Sequence, residues 1–321
     1  MRTVGPRPNV DTFSKMYMNK WVLMKHLIRP VTLVSCLVFL EVLASCSGVQ
    51  PSATPMHFSP SPQSSQPPLT VVLTPLTPLL DPVQVTEDIF YTDRLKLNVY
   101  APRKTGLWPV VVVLHGSGMT KEGMINGFSK AIAERGALVF TPTWRSDPPS
   151  AAAEITYGVE DVACAIRFAR AKAAEYGGIS SRLIVISYSA GGAAGAIITL
   201  TGDTFKGNCI VTDVFAYPDT FVGVDGIYDT LKYRPDNVPL EQWTTINPFT
   251  YLENSPFRRG VKFHLIVGST KDLDSQALAF KAALDAAGYT TTLTQVAASH
   301  EQMIDPGQEE VLWVIEEALR P

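Results

Sequence analysis

Residues 182–200, RLIVISYSAGGAAGAIITL, constrain what this chain can fold into more than any other stretch. The first six are a short apolar, β-branched run with almost no polar face, which a strand covered on both sides requires. A Ser-x-Ser-x-Gly-Gly turn follows. Gly192, Ala193, Ala194 and Gly195 then open a helix whose small side chains allow it to lie close against a sheet. The strand signal recurs in VVVVL (110–114), ALVFTP (137–142), FVGV (221–224), FHLIVG (263–268) and TTLTQV (291–296). Helical spacing lies between them at 127–135, at 153–176 before Gly177-Gly178, at 275–287 before Gly288, and at 308–319. Strands alternating with helices predict an α/β domain with a mostly parallel central sheet and helices on both faces. VQVTEDIFY and LKLNVY, at 83–91 and 95–100, predict a hairpin around Asp93 at its edge. The segment 230–259 holds too few residues for a large lid and reads as a small cap.

The pattern begins at about residue 83, so the chain divides into three parts. Residues 1–45 read as an export signal: Lys20, Lys25 and Arg29 precede the apolar run VTLVSCLVFLEVLA, which is short for a full membrane span. Met24 offers a start that gives this signal an ordinary length. Leu43-Ala44-Ser45-Cys46 resembles the lipobox of bacterial lipoproteins, which implies cleavage before Cys46 and lipidation of its thiol. A plain signal peptide or an uncleaved anchor are the alternatives. Residues 46–82 are rich in Pro, Ser and Thr and read as an extended tether. The expected location is the cell envelope, outside the cytoplasm, with the lipid as the only membrane contact; the alternative is secretion. Residues 83–321 form the expected catalytic domain. A net charge of −3 and a pI near 6.0 make no electrostatic case for nucleic acid. No Cys-x-x-Cys spacing suggests a thiolate metal site, and no obligate protein partner is inferred.

Three motifs carry chemistry. SYSAGG places Ser189 between strand and helix and resembles the nucleophile elbow of α/β-hydrolases, usually Gly-x-Ser-x-Gly, with Ser187 in place of the first Gly. Such a turn brings its flanking residues together, so Ser187 raises a packing question. HGSG (115–118), directly after VVVVL, resembles the oxyanion loop of esterases. The expected N–H donors are Ser117 or Gly118, together with Ala190. The general base follows by elimination among five histidines. His26 and His57 precede the folded domain, His115 belongs to the oxyanion loop, and His264 lies within a strand. His300, after the last strand, remains. The acid is expected after FHLIVG, at Asp272, with Asp274 as the alternative acid or as the N-cap of the next helix.

Together these motifs resemble the α/β-hydrolase superfamily over about residues 83–320. The nearer likeness is to small-ester hydrolases, the carboxylesterases of the feruloyl-esterase-like (BD-FAE-like) and acetylxylan-esterase-like kind. LKLNVYAP, YGVEDVACAIRFARAKAAEYGG, VDGIYD and INPFTYLENSP resemble successive segments of these enzymes. The resemblance implies a serine esterase working through an acyl-enzyme on a small ester, with no metal or organic cofactor, and a structural role for Asp229. The other readings are a peptidase of the same fold and an inactive, ligand-binding lipoprotein. Tyr228, Tyr233, Trp243, Phe249, Tyr251 and Trp144 are candidates to wall a pocket. Cys164 and Cys209, on neighbouring elements of an exported chain, are expected either as a disulfide or as two buried thiols.

Overall fold

The computed structural model describes residues 82–104, 106–147, 155–252 and 260–320. The signal, Cys46 and all but the last residue of the tether lie outside the described residues, as do the first residues expected for the helix at 153–176. Among the described residues, eight strands form one sheet in the order β1-β2-β4-β3-β5-β6-β7-β8. They are β1 (Val83–Phe90), β2 (Lys96–Pro102), β3 (Trp108–Leu114), β4 (Leu138–Pro142), β5 (Gly178–Tyr188), β6 (Thr220–Val224), β7 (Lys262–Val267) and β8 (Thr290–Gln295). The β1–β2 hairpin is antiparallel and pairs antiparallel with β4; every neighbour from β4 to β8 is parallel.

The expected sheet is therefore present, and alternation along the strands explains its two-sided burial. Val110, Val112, Leu114, Leu183 and Val185 face one core. Val111, Val113, Ile184 and Ile186 face the other. Helices α1 (Met124–Glu134) and α6 (Glu309–Leu319) cover the second face. Helices α2 (Tyr157–Lys172), α3 (Gly191–Thr201) and α5 (Lys271–Ala286) cover the first. The short α4 (Leu240–Trp243) belongs to the cap segment, with 3-10 turns on either side. Helix α5 starts four residues before the expected 275, which puts both Asp272 and Asp274 inside its first turn. Its N-cap is Thr270, so Asp274 is not the cap.

A disulfide joins Cys164, on α2, to Cys209, after α3. It closes a 45-residue separation, and loop-closure entropy of that size contributes about 2–4 kcal/mol. The buried Arg167 guanidinium supports the same region, donating to the carbonyls of Phe205 and Lys206 and to Asp203 Oδ1.

Candidate active site

Parallel strands deliver their carboxyl ends to one edge of the sheet, and the turns leaving β3, β5 and β6 meet there. Ser189 sits between β5 and α3 with φ 53°, a left-handed conformation that a serine adopts only under constraint. The constraint is a set of hydrogen bonds. The Ser189 N–H donates to Val224 O at 3.2 Å, and its carbonyl accepts from Gly192 N–H at 2.9 Å and Ile227 N–H at 2.8 Å. Close approach accounts for the glycines. A Cβ on Gly192 would lie 2.7 Å from Gly226 Cα, and one on Gly191 would lie 3.0 Å from His115 O.

Ser187 is tolerated for a reason the local turn does not reveal. Its fully buried Oγ occupies space over α3, 2.2 Å from where a Cβ on Gly195 would stand. The missing side chain eight residues along makes room for the extra hydroxymethyl group. The cost is a buried hydroxyl with no hydrogen-bond partner among the described residues.

His300 presents Nε2 to Ser189 Oγ at 3.0 Å. Its ring stacks on Tyr188 at 4.7 Å between centroids, and its carbonyl accepts from the Tyr188 hydroxyl at 3.0 Å. One aromatic side chain therefore holds the imidazole by face and by backbone. Behind it, His300 Nδ1 meets Asp225 Oδ2 at 2.9 Å.

The expected acid is corrected here. Asp272 is not brought to His300. It lies on the exposed first turn of α5, where its carboxylate accepts from Lys232 Nζ (2.9 Å), Gln276 Nε2 (2.9 Å) and the Tyr233 hydroxyl (3.1 Å). The Lys232 hydrogen bond, chiefly, holds the Asp272 carboxyl below its ordinary pKa. Asp274 shares that first turn and is not brought to His300 either. Asp225, at the end of β6 beside the nucleophile strand, takes the place instead. It is fully buried with φ 45°, and its Oδ1 accepts from Gly268 N–H at 2.7 Å. The glycine after β7 therefore serves an acid on the adjacent strand: a Cβ on Gly268 would stand 2.5 Å from Ala298 O and 3.3 Å from Asp225 Oδ2. The signal for Asp225 was its place in VDGIYD, immediately after a buried strand and before Gly226, where an aspartate most readily takes a left-handed turn.

The HGSG loop is fixed from the segment after β4. Trp144 N–H donates to His115 Nε2 at 3.3 Å, so the proton sits on Nδ1, which meets Gly116 O at 2.9 Å. Burial lowers the His115 pKa to about 4 and keeps the ring neutral. Gly116 leaves no room for a side chain, since a Cβ there would stand 3.0 Å from Ser189 Cβ. Of the three candidate oxyanion donors, Gly118 N–H is engaged with Asp147 Oδ1 at 2.8 Å. Ser117 and Ala190 both line a cleft of about 950 Å³ beside the nucleophile.

Trp144, Tyr233 and Trp243 line the same cleft. The other aromatic candidates do not. Tyr228 stacks on Phe280 at 4.5 Å, Phe249 packs edge-on to Phe280, and Tyr251 packs edge-on to Phe205. Asp229 is structural, as expected: it accepts from Leu231 N–H and Asn247 Nδ2 in the cap segment.

Comparison with known proteins bears on the fold. Residues 97–234 match the BD-FAE family model. Esterase P of Drosophila melanogaster is 31% identical over 123 residues, 36% of this chain and 22% of that protein. The chain thus spans about a fifth of the length of the curated relative it matches. A truncated carbohydrate esterase from gut microbiota superposes with a TM-score of 0.60 at 16% identity, covering 76% of this chain and 97% of that one. Esterase B from Lactobacillus rhamnosis gives 0.60 at 16% identity over 75% and 85% of the two chains. Butyrate-bound esterase 2 of the planctomycete Thermogutta terrifontis gives 0.55 at 18% identity over 75% and 93%. At these identities the likeness shows the fold, and the fold is that of the α/β-hydrolases.

Proposed function

From an α/β-hydrolase fold with these side chains at its strand ends, we infer that the chain hydrolyses carboxylic esters through an acyl-enzyme on Ser189. One observation carries the reading: the unbroken line from Ser189 Oγ through both ring nitrogens of His300 to Asp225, at 3.0 and 2.9 Å. An ionised Asp225 accepts the Nδ1 proton of His300, which leaves the Nε2 lone pair facing the serine. Ser189 Oγ then bonds to the ester carbonyl carbon as its proton passes to Nε2. The carbonyl π electrons move onto oxygen, where the N–H groups of Ser117 and Ala190 meet the charge. Collapse breaks the bond to the alcohol oxygen, which leaves with the proton from His300. Water repeats the sequence on the acyl-enzyme and releases the acid. Asp225 stays ionised throughout and stabilises the imidazolium.

The substrate class we propose is a short acyl ester of a sugar or small alcohol. Support comes from the mixed lining of the cleft, aromatic at Trp144, Tyr233 and Trp243 and charged at Arg145 and Asp147. The likeness to a carbohydrate esterase and to a butyrate-bound esterase points the same way. p-Nitrophenyl acetate hydrolysis by the full chain, with Ser189→Ala as control, tests the reaction. Turnover lost in the variant is expected, and turnover surviving it would sink the nucleophile assignment. We further propose a lipid on Cys46 that holds the domain at the cell envelope; palmitate label retained by Cys46→Ala would reject it.

A further inference from the structure

The oxyanion loop has little packing at its tip. Gly118 carries φ +70°, and a Cβ there would find nothing within 4 Å among the described residues. The turn bond within the loop, Met119 N–H to Gly116 O, is long at 3.4 Å. A loop built this way drifts unless something outside it provides anchors. Two residues of one segment do so. Trp144 N–H holds the root of the loop through His115 Nε2. Three residues on, Asp147 Oδ1 accepts from Gly118 N–H at 2.8 Å and from the Ser117 hydroxyl at 3.3 Å, and so holds the tip.

We propose that Asp147 is a positioning residue that sets the Ser117 N–H toward the oxyanion. The inference rests on the ester-hydrolase reading of Ser189. Two consequences follow from the geometry. The loop contributes one donor rather than two, because the Gly118 N–H is turned onto the carboxylate. A carboxylate beside a developing negative charge also opposes it, so the acceptor oxygen is what helps and the charge is a cost. Asparagine keeps that oxygen and discards the charge; alanine discards both.

The test compares the wild-type full chain with Asp147→Asn and Asp147→Ala. In steady-state hydrolysis of p-nitrophenyl acetate, Asp147→Ala is expected to lower kcat about 10- to 100-fold with KM within about threefold, since only the transition state carries the oxyanion. Asp147→Asn is expected to keep kcat within about threefold of wild type or above it. A second readout is independent of turnover: amide hydrogen exchange across residues 115–119, which should accelerate in Asp147→Ala and not in Asp147→Asn. Unchanged exchange in Asp147→Ala, or equal loss of kcat in the two variants, would overturn the proposal. Exchange that responds as expected in a chain without Ser189-dependent turnover would support the clamp and refute the ester-hydrolase reading instead.

Discussion

The substitution Asp225→Asn separates the acid observed at the site from the one expected on α5. The side chain is fully buried and, among the described residues, has two hydrogen-bond partners: Gly268 N–H at Oδ1 (2.7 Å) and His300 Nδ1 at Oδ2 (2.9 Å). Gly268 N–H can only donate, so an asparagine must turn its carbonyl oxygen to it. The amide NH2 then faces His300 and forces Nδ1 to accept. The ring proton moves to Nε2, which can no longer take the Ser189 proton. Flipping the amide would restore the tautomer but would press NH2 against a buried N–H at hydrogen-bond distance. Either arrangement is unfavourable, and a wrong-tautomer imidazole costs about 10³- to 10⁴-fold in kcat, or about 4–5.5 kcal/mol of transition-state stabilisation. Asp272→Asn should leave kcat within about threefold, since its carboxylate is engaged by Lys232, Gln276 and Tyr233 rather than by His300. The assay is p-nitrophenyl acetate turnover at pH 8 with the folded fraction checked by near-ultraviolet circular dichroism. Asp225→Asn retaining more than about a tenth of wild-type kcat, or Asp272→Asn losing more than about a hundredfold, would refute this account.

Two further outcomes follow from the packing. Burial lowers the His115 pKa from 6.5 to about 4, so below pH 6.5 the unfolded chain binds a proton that the folded chain refuses. That contribution to stability is complete above pH 6.5 and is lost progressively as pH falls towards 4, by about 3 kcal/mol in all. Urea unfolding across this range should show a shallower pH dependence in His115→Gln, and an unchanged slope would contradict it. Gly195→Ala should cost about 2–3 kcal/mol, because its Cβ would meet Ser187 Oγ at 2.2 Å and Phe221 Cε2 at 3.0 Å. Adding Ser187→Gly should recover more than half of that loss in thermal unfolding, and two additive substitutions would show that the two positions are not coupled.

Much of this protein is legible in its sequence because the signals are local. A β-branched run bounded by glycines reports a buried strand, and a serine between such a run and a Gly/Ala helix reports the strained turn at φ 53°. His300 needed no structure, since the other histidines were accounted for by position. The sequence by itself thus determined the sheet and the order of its elements along the chain, and singled out Ser189 and His300 as the candidates that the fold brings together. What only the tertiary structure decided are contacts between residues distant along the chain. Asp225 and His300 lie 75 positions apart, and the turn signal at Asp225-Gly226 does not say that this aspartate, rather than one following β7, reaches the imidazole. The choice depends on which strand end lies beside the imidazole, and on Gly268 offering its N–H to the neighbouring strand rather than to its own helix. In the same way Gly195 admits Ser187, and Asp147, 29 positions on, takes the Gly118 N–H. Each is a matter of space and hydrogen-bond direction at a meeting point that periodicity along the chain does not encode.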